Sequence, residues 1–191
     1  MLDKAKALLL VKKYIKTENT VKHMLALEAI MQALGKKLEP AKEKEYAMAG
    51  LVHDLDYEQD LGENYKLHGT KSVEILKSEK ADLSEEVYQA IKAHCYNLNP
   101  NYKPKNLMDW SIFISDSLTG LIVATALVRP SKKLADVEIK SIKKKFKEKS
   151  FAAGTRREDI KLCEEKLGIP FDEFLGLSLK AMQEIAPELG L

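Results

Sequence analysis

Ala49-Gly50-Leu51-Val52-His53-Asp54-Leu55-Asp56-Tyr57-Glu58 is the stretch on which the reading of this chain turns. An apolar run ends in an imidazole and a carboxylate side by side, and two further acids follow. Neighbouring residues on a helix point about 100° apart, and a helix end can aim both at one place. Histidine offers a nitrogen ligand and aspartate an oxygen ligand, a mixture that suits a transition metal better than calcium or magnesium. A His-Asp dipeptide is common by itself. Its weight here comes from the placement of the other three histidines.

Upstream, Pro40 opens a helix whose residues from Tyr46 to Val52 are nearly all apolar or small. A helix apolar on all sides is buried, so His53 and Asp54 are delivered inside a core. Residues 4–16 alternate apolar side chains with lysine at helical spacing and form an amphipathic entry helix. Thr17 to Thr20 make a break. A second helix is expected to about Leu34, ended by Gly35. His23, Leu27, Ile30 and Leu34 fall on its core stripe. Taken alone, His23 reads first as a core histidine satisfied by a neighbour.

Downstream, residues 58–63 form a polar loop with Gly62. His68 stands near the start of a fourth helix and shares a face with Lys71 and Ser72. Ser84 caps a fifth helix, on which Val87, Ile91 and His94 form one stripe. The segment 96–106, with Pro100 and Pro104, reads as a loop over whatever His94 faces. Residues 111–128 are long and apolar enough to cross a membrane by length. Asp116 near the middle, with Ser115, Ser117, Thr119, Gly120 and Thr125, points instead to a buried core helix whose carboxylate needs a partner or a metal.

Beyond Arg129-Pro130-Ser131 the segment 132–149 carries eight lysines against Asp136, Glu138 and Glu148. Leu134, Val137, Ile142 and Phe146 keep helical spacing there. Thr155 to Glu158 has the capping-box form and starts an eighth helix, closed by Gly168 and Pro170. A last helix runs from Phe171 to about Glu184, before Pro187. No strand alternation and no repeat is visible. The expected fold is all-α: a helical bundle over residues 1–128, with a helical C-terminal extension over 129–191 packed on it.

The 191 residues suffice for a core without disulfides, and the net charge of +2 gives no general reason to expect nucleic acid. Cys95 and Cys163 have no zinc-site spacing and read as thiols of a reducing interior. The N-terminus lacks the long apolar run and cleavage site of a signal peptide, so the expected location is cytoplasmic, with no membrane partner.

Each histidine thus sits at a helix end or on an apolar helix face, and Asp54 and Asp116 are embedded in apolar sequence. Four histidines and two aspartates in one helical core can hold two adjacent ions, with Asp54 as bridge. Such a pair activates water and clamps phosphoryl oxygens.

The order His23, His53-Asp54, His68, His94, Asp116 resembles the HD-domain superfamily of metal-dependent phosphohydrolases, over roughly residues 17–127. The resemblance implies an all-α HD-domain bundle. It implies basic metal ligands at His23, His53, Asp54 and Asp116, and a binuclear centre completed by His68 and His94. The implied cofactors are two divalent transition metals, iron or manganese, with cobalt, nickel or zinc as alternatives. The pattern is similar to small stand-alone HD hydrolases, including the branch that hydrolyses diadenosine polyphosphates. It lacks the Gly-Tyr-Pro signature of the cyclic-dinucleotide branch and the acidic offset of the alarmone hydrolases. The nucleoside 5′-monophosphatase branch generally lacks the two extra histidines.

The implied activity is hydrolysis of a small phosphorylated substrate, a nucleotide being favoured. The alternatives are a mixed-valent di-iron oxygenase of the same fold and a metal-stabilised nucleotide-binding regulatory module. Asp54 is central. Asp56 is expected either to orient a ligand histidine or to act as a base, with a solvated helix-end acid as its plain alternative. Lys71 is a candidate catalytic and phosphate-binding cation, with an ordinary surface lysine as its plain alternative. Arg129, Lys132 and Arg156 are candidate substrate contacts, each with a solvated surface charge as its plain alternative. Tyr57 and Trp110 are candidates for core packing or for stacking on a base.

Overall fold

The computed structural model describes residues 2–59 and 65–191. Of the expected 58–63 loop, residues 60–63 with Gly62 lie outside the described residues. The chain is all-α, with no strand among the described residues.

The first helix, α1 (Lys4–Tyr14), is capped by Asp3, whose carboxylate accepts from the Lys6 amide at 2.8 Å. The next two, α2 (Glu18–Leu38) and α3 (Glu43–Val52), lie antiparallel and unusually close. Two glycines permit this. A Cβ on Gly50 would lie 2.8 Å from the Leu27 carbonyl oxygen, and one on Gly35 would lie 2.8 Å from the Tyr46 Cβ. Gly35 therefore does not end α2, as its sequence suggested. It lies within the helix, at the point where Tyr46 packs.

Two short helices follow, α4 (Thr70–Ser78) and α5 (Glu85–Ala93), the second capped by the Ser84 hydroxyl on the Val87 amide. The centre of the molecule is α6 (Leu107–Leu127), which packs against α2, α3 and α5. It is long and apolar enough to cross a membrane by length and composition, and most of it is buried against other helices of this chain.

The remaining helices are α7 (Ile139–Lys147), α8 (Arg157–Lys161), α9 (Cys163–Leu167), α10 (Phe171–Glu184) and α11 (Ala186–Leu189). The α7, α8 and α9 helices pack on α6, while α10 returns to α2. The buried apolar side chains form one continuous core from Ala7 to Leu189. Further details depart from the sequence reading. The capping box at Thr155 does not form, because α8 starts one residue later, behind Arg156. Pro187 does not merely follow the last long helix; it sits in the first turn of α11, where its missing N–H is harmless.

Candidate metal centre

Four helices bring five of the six expected ligands to one place, and the segment ahead of a fifth brings the other. His23 projects from α2, His53 and Asp54 follow directly on α3, His94 follows α5, and Asp116 lies midway along α6. His68 stands just ahead of α4, separated from it by Gly69 at φ +75°.

Each imidazole has its Nδ1 tied to an oxygen that can only accept at that point. The His53 Nδ1–H donates to the Gly50 carbonyl at 2.9 Å, and the His94 Nδ1–H donates to the Ile91 carbonyl. The His68 Nδ1–H donates to the Asp56 carboxylate at 2.8 Å. The His23 Nδ1 meets the Thr119 hydroxyl at 2.9 Å, and that hydroxyl spends its own proton on the Asp116 carbonyl, so His23 is the donor. Holding Nδ1–H in this way leaves each neutral ring with its lone pair on Nε2, the form a metal takes.

The four Nε2 atoms face one another and the carboxylates. His23 and His53 are 3.2 Å apart, and His68 and His94 are 3.4 Å apart. The Asp54 Oδ1 lies 3.2 Å from His53, 3.3 Å from His68 and 3.3 Å from His94, while its Oδ2 lies 3.6 Å from His23. The Asp116 Oδ1 lies 3.2 Å from His23 and 3.9 Å from His53.

These separations fit a metal. Two atoms each about 2.1 Å from one ion stand about 3.0 Å apart at a right angle and about 3.4 Å apart at the tetrahedral angle. The buried Asp54 Oδ1 also has no hydrogen-bond donor. Leaving a buried acceptor without a partner costs about 1–3 kcal/mol, more for a charged group. Lone pairs on four nitrogens and one orphaned carboxylate oxygen, all pointing inward, are satisfied together by cations. Three overlapping sets within the cluster have metal-binding spacing: His23, His53 and Asp116; His53, Asp54 and His94; and His68, His94 and Cys95.

The electrostatics lead to the same conclusion. Burial alone makes histidines neutral and carboxylates protonated. Burial wins only at His53, which it pushes below its ordinary pKa. At His23 burial is outweighed by Asp116 and Asp54, and at His68 by Asp54 and Asp56, so both are raised. His94 is raised against its burial by the neighbouring Cys95 sulfur and Asp54. Burial would raise Asp54, but His53, His68 and His94 hold it well below the usual carboxylate range. Asp116 is depressed against its burial by His23 and then Arg156. The protein groups thus create a pocket that favours positive charge at its centre.

Asp56 sits behind His68 and holds its ring. It is fully buried, and its carboxylate accepts from the His68 ring, the Ser72 hydroxyl at 2.8 Å and the Gly69 amide at 2.8 Å. Ser72 serves the site in this way, but Lys71 does not. Gly69 breaks the helical phase between His68 and α4, so the shared face expected of His68 and Lys71 is not formed. The Lys71 ammonium instead pairs with Glu74 at 2.6 Å. Arg129 is also diverted, because the chain turns after α6 and its guanidinium donates to Ser141 at 3.1 Å. Lys132 is exposed in that same turn, with a left-handed backbone. None of these three lines the cavity above the centre.

Arg156 does line it. Its Nη2 donates to the Asp116 Oδ2 at 2.9 Å, its Nε to Asp159 at 2.8 Å, and its amide to the Ser117 hydroxyl at 3.3 Å. The cavity has a volume of about 690 Å³. His23, Asp54, His68 and Asp116 form its floor, Asn97 and Leu98 one rim, and residues 152–156 another. Tyr57 is 62% exposed, and its ring lies edge-on to His68 with centroids 6.0 Å apart. Trp110 is instead half-buried against Phe113, away from the cavity. Sequence reasoning passed over Thr119, three residues after Asp116 on the same face, and Cys95, whose one signal was adjacency to His94.

A family model described as HD domain matches residues 20–121. No curated protein and no solved structure matches the chain.

Proposed function

This chain belongs to the HD-domain family of metal-dependent hydrolases acting on phosphorylated substrates, and from that membership we propose that it is a phosphohydrolase with a binuclear centre acting on a small phosphorylated molecule, a nucleotide by preference. The observation that carries this reading is the inward convergence of four Nε2 lone pairs and two carboxylates beneath one open cavity. His23, His53, Asp54 and Asp116 would hold one ion, and His68, His94 and Asp54 the other. Divalent ions so bound supply an activated water and charge neutralisation at the phosphoryl oxygens.

The protein's own groups do the rest. Arg156 presents its guanidinium beside Asp116, where it can pair with a phosphoryl oxygen of the substrate. Asp56, Gly50, Thr119 and Ile91 hold the four imidazoles with their acceptor nitrogens inward. The exposed Tyr57 ring offers a flat apolar face at the mouth, suited to a nucleobase. The cavity exceeds what a phosphate alone would fill, which supports a substrate with a substantial organic part.

The test is metal content by elemental analysis on protein purified without chelators, followed by a phosphoester panel run with and without oxygen. The panel includes nucleoside mono- and diphosphates, diadenosine polyphosphates and sugar phosphates. Expected are two transition-metal ions per chain and phosphate release that does not depend on oxygen. Both should be lost in a folded Asp54→Ala variant. Oxygen-dependent turnover, or tight nucleotide binding with no release, would overturn the reading.

A further inference from the structure

Cys95 lies within the metal centre. Its sulfur is 3.1 Å from the His94 Nε2, and His68, His94 and Cys95 form one of the three sets with metal-binding spacing. The turn after α5 makes this possible. Adjacent residues diverge on a helix, but here the Leu98 and Asn99 amides both fold back onto the Cys95 carbonyl. Gly69 closes over the pair, since a Cβ there would lie 3.1 Å from the His94 ring and 3.4 Å from the Cys95 sulfur. Cys95 is 2% exposed, so its sulfur is fixed inside the site and not at its edge.

The contact poses a choice. His94 holds its Nδ1–H on the Ile91 carbonyl, so its only lone pair is on Nε2. If the Cys95 thiol donates to that lone pair, His94 cannot ligate an ion. If His94 ligates, the buried S–H loses its acceptor. Loss of the thiol proton to solvent and coordination through sulfur satisfies both groups. A sulfur about 2.3 Å and a nitrogen about 2.05 Å from one ion stand about 3.1 Å apart at a right angle and about 3.6 Å apart at the tetrahedral angle. The observed separation falls at the short end of this range. The orphaned Asp54 Oδ1 lies against the same two histidines, at 3.3 Å from each, and independently calls for a cation there.

We propose that Cys95 is a sulfur ligand to the ion held by His68 and His94, giving the centre two chemically unequal halves. This rests on the binuclear reading above. The half at His23, His53 and Asp116 is a nitrogen-and-oxygen site. The half at His68, His94 and Cys95 is softer and selects zinc, cobalt or ferrous iron over manganese or magnesium.

The test uses cobalt(II) added anaerobically to the metal-free full chain, with cobalt content measured separately by elemental analysis. The expected result is a near-ultraviolet sulfur-to-cobalt charge-transfer band in the wild type, kept in Cys163→Ser and lost in Cys95→Ser, which still retains cobalt. Zinc-over-manganese preference should fall by roughly tenfold or more in Cys95→Ser. The chain has only two cysteines, so a band that survives in Cys163→Ser identifies Cys95 even if Cys95→Ser does not fold. Cobalt bound without the band, or a band surviving in Cys95→Ser, would overturn the sulfur ligand and leave the centre standing. No cobalt bound would overturn both.

Discussion

The capacity of each histidine here to take a metal is set by the partners of its ring nitrogens. A histidine is poised to ligate when one nitrogen is committed to an acceptor and the other faces open charge, and all four histidines are held in that way. Asp56 is the most exacting of the orienting groups because it is charged and buried with three donors. Replacing it by Asn keeps an acceptor but removes the charge. Metal affinity in Asp56→Asn should fall roughly 10- to 100-fold by calorimetric titration. An unchanged affinity would mean that the His68 orientation is set elsewhere. The charged residues also make the metal-free protein pH-sensitive. Asp54 and Asp116 are depressed in the fold, so their contribution is complete above the ordinary 3.8 and is lost as pH falls. His23, His68 and His94 are raised, so theirs is complete below 6.5 and is lost as pH rises through their folded values. Thermal unfolding of metal-free protein should therefore be highest between those two values. Metal binding should release protons, with affinity rising with pH. A flat stability profile across that range would contradict the assignment.

At the scale of elements, the controlling feature is the close approach of α2 and α3. Gly50 lets the α3 backbone touch that of α2 at Leu27 and Glu28, and its own carbonyl holds His53. Gly50→Ala would place a methyl 2.8 Å from backbone that cannot yield without moving a helix. The expected cost is about 1–3 kcal/mol, read as a fall in Tm of roughly 2–4 °C per kcal/mol. Metal content should drop with it, because His53 and His23 sit on the two helices being forced apart. A variant as stable and as metal-rich as the parent would show that the contact is slack. The α6 helix illustrates the opposite economy. Its apolar length suits a central position, and Asp116 is tolerable there because His23 and Arg156 face it.

For the molecule as a whole, the C-terminal segment serves both the core and the site. Leu134, Ile142, Phe174, Leu175 and Met182 are fully buried. Burying five such side chains contributes roughly 7–15 kcal/mol, comparable to the whole stability of a domain. Deleting residues 130–191 should therefore yield an unfolded or insoluble chain. A soluble, cooperatively melting 1–129 fragment would show that the bundle is self-sufficient. The same segment brings Arg156 to Asp116 across 40 positions of sequence. Arg156→Ala should lower kcat/KM for a phosphoester by roughly ten- to a hundredfold, with partial rescue in Arg156→Lys, as expected for one charge-assisted bond. Metal content should stay closer to the parent than in Asp54→Ala.

Helical periodicity alone located most of the helices, because burial imposes its own period on the chain. The apolar run into His53-Asp54, the stripes through His23 and His94, and Asp116 within an apolar helix were all visible as chemistry misplaced in a core. What the sequence could not decide was direction. Gly35 looks like a terminator and is a contact point. Lys71 looks like a partner of His68 and is turned away by one left-handed glycine. Cys95 looks unpatterned, yet a single turn brings its sulfur beside His94. Periodicity reports which residues must leave water. Which of them meet depends on backbone turns and helix approaches that only the packed chain determines.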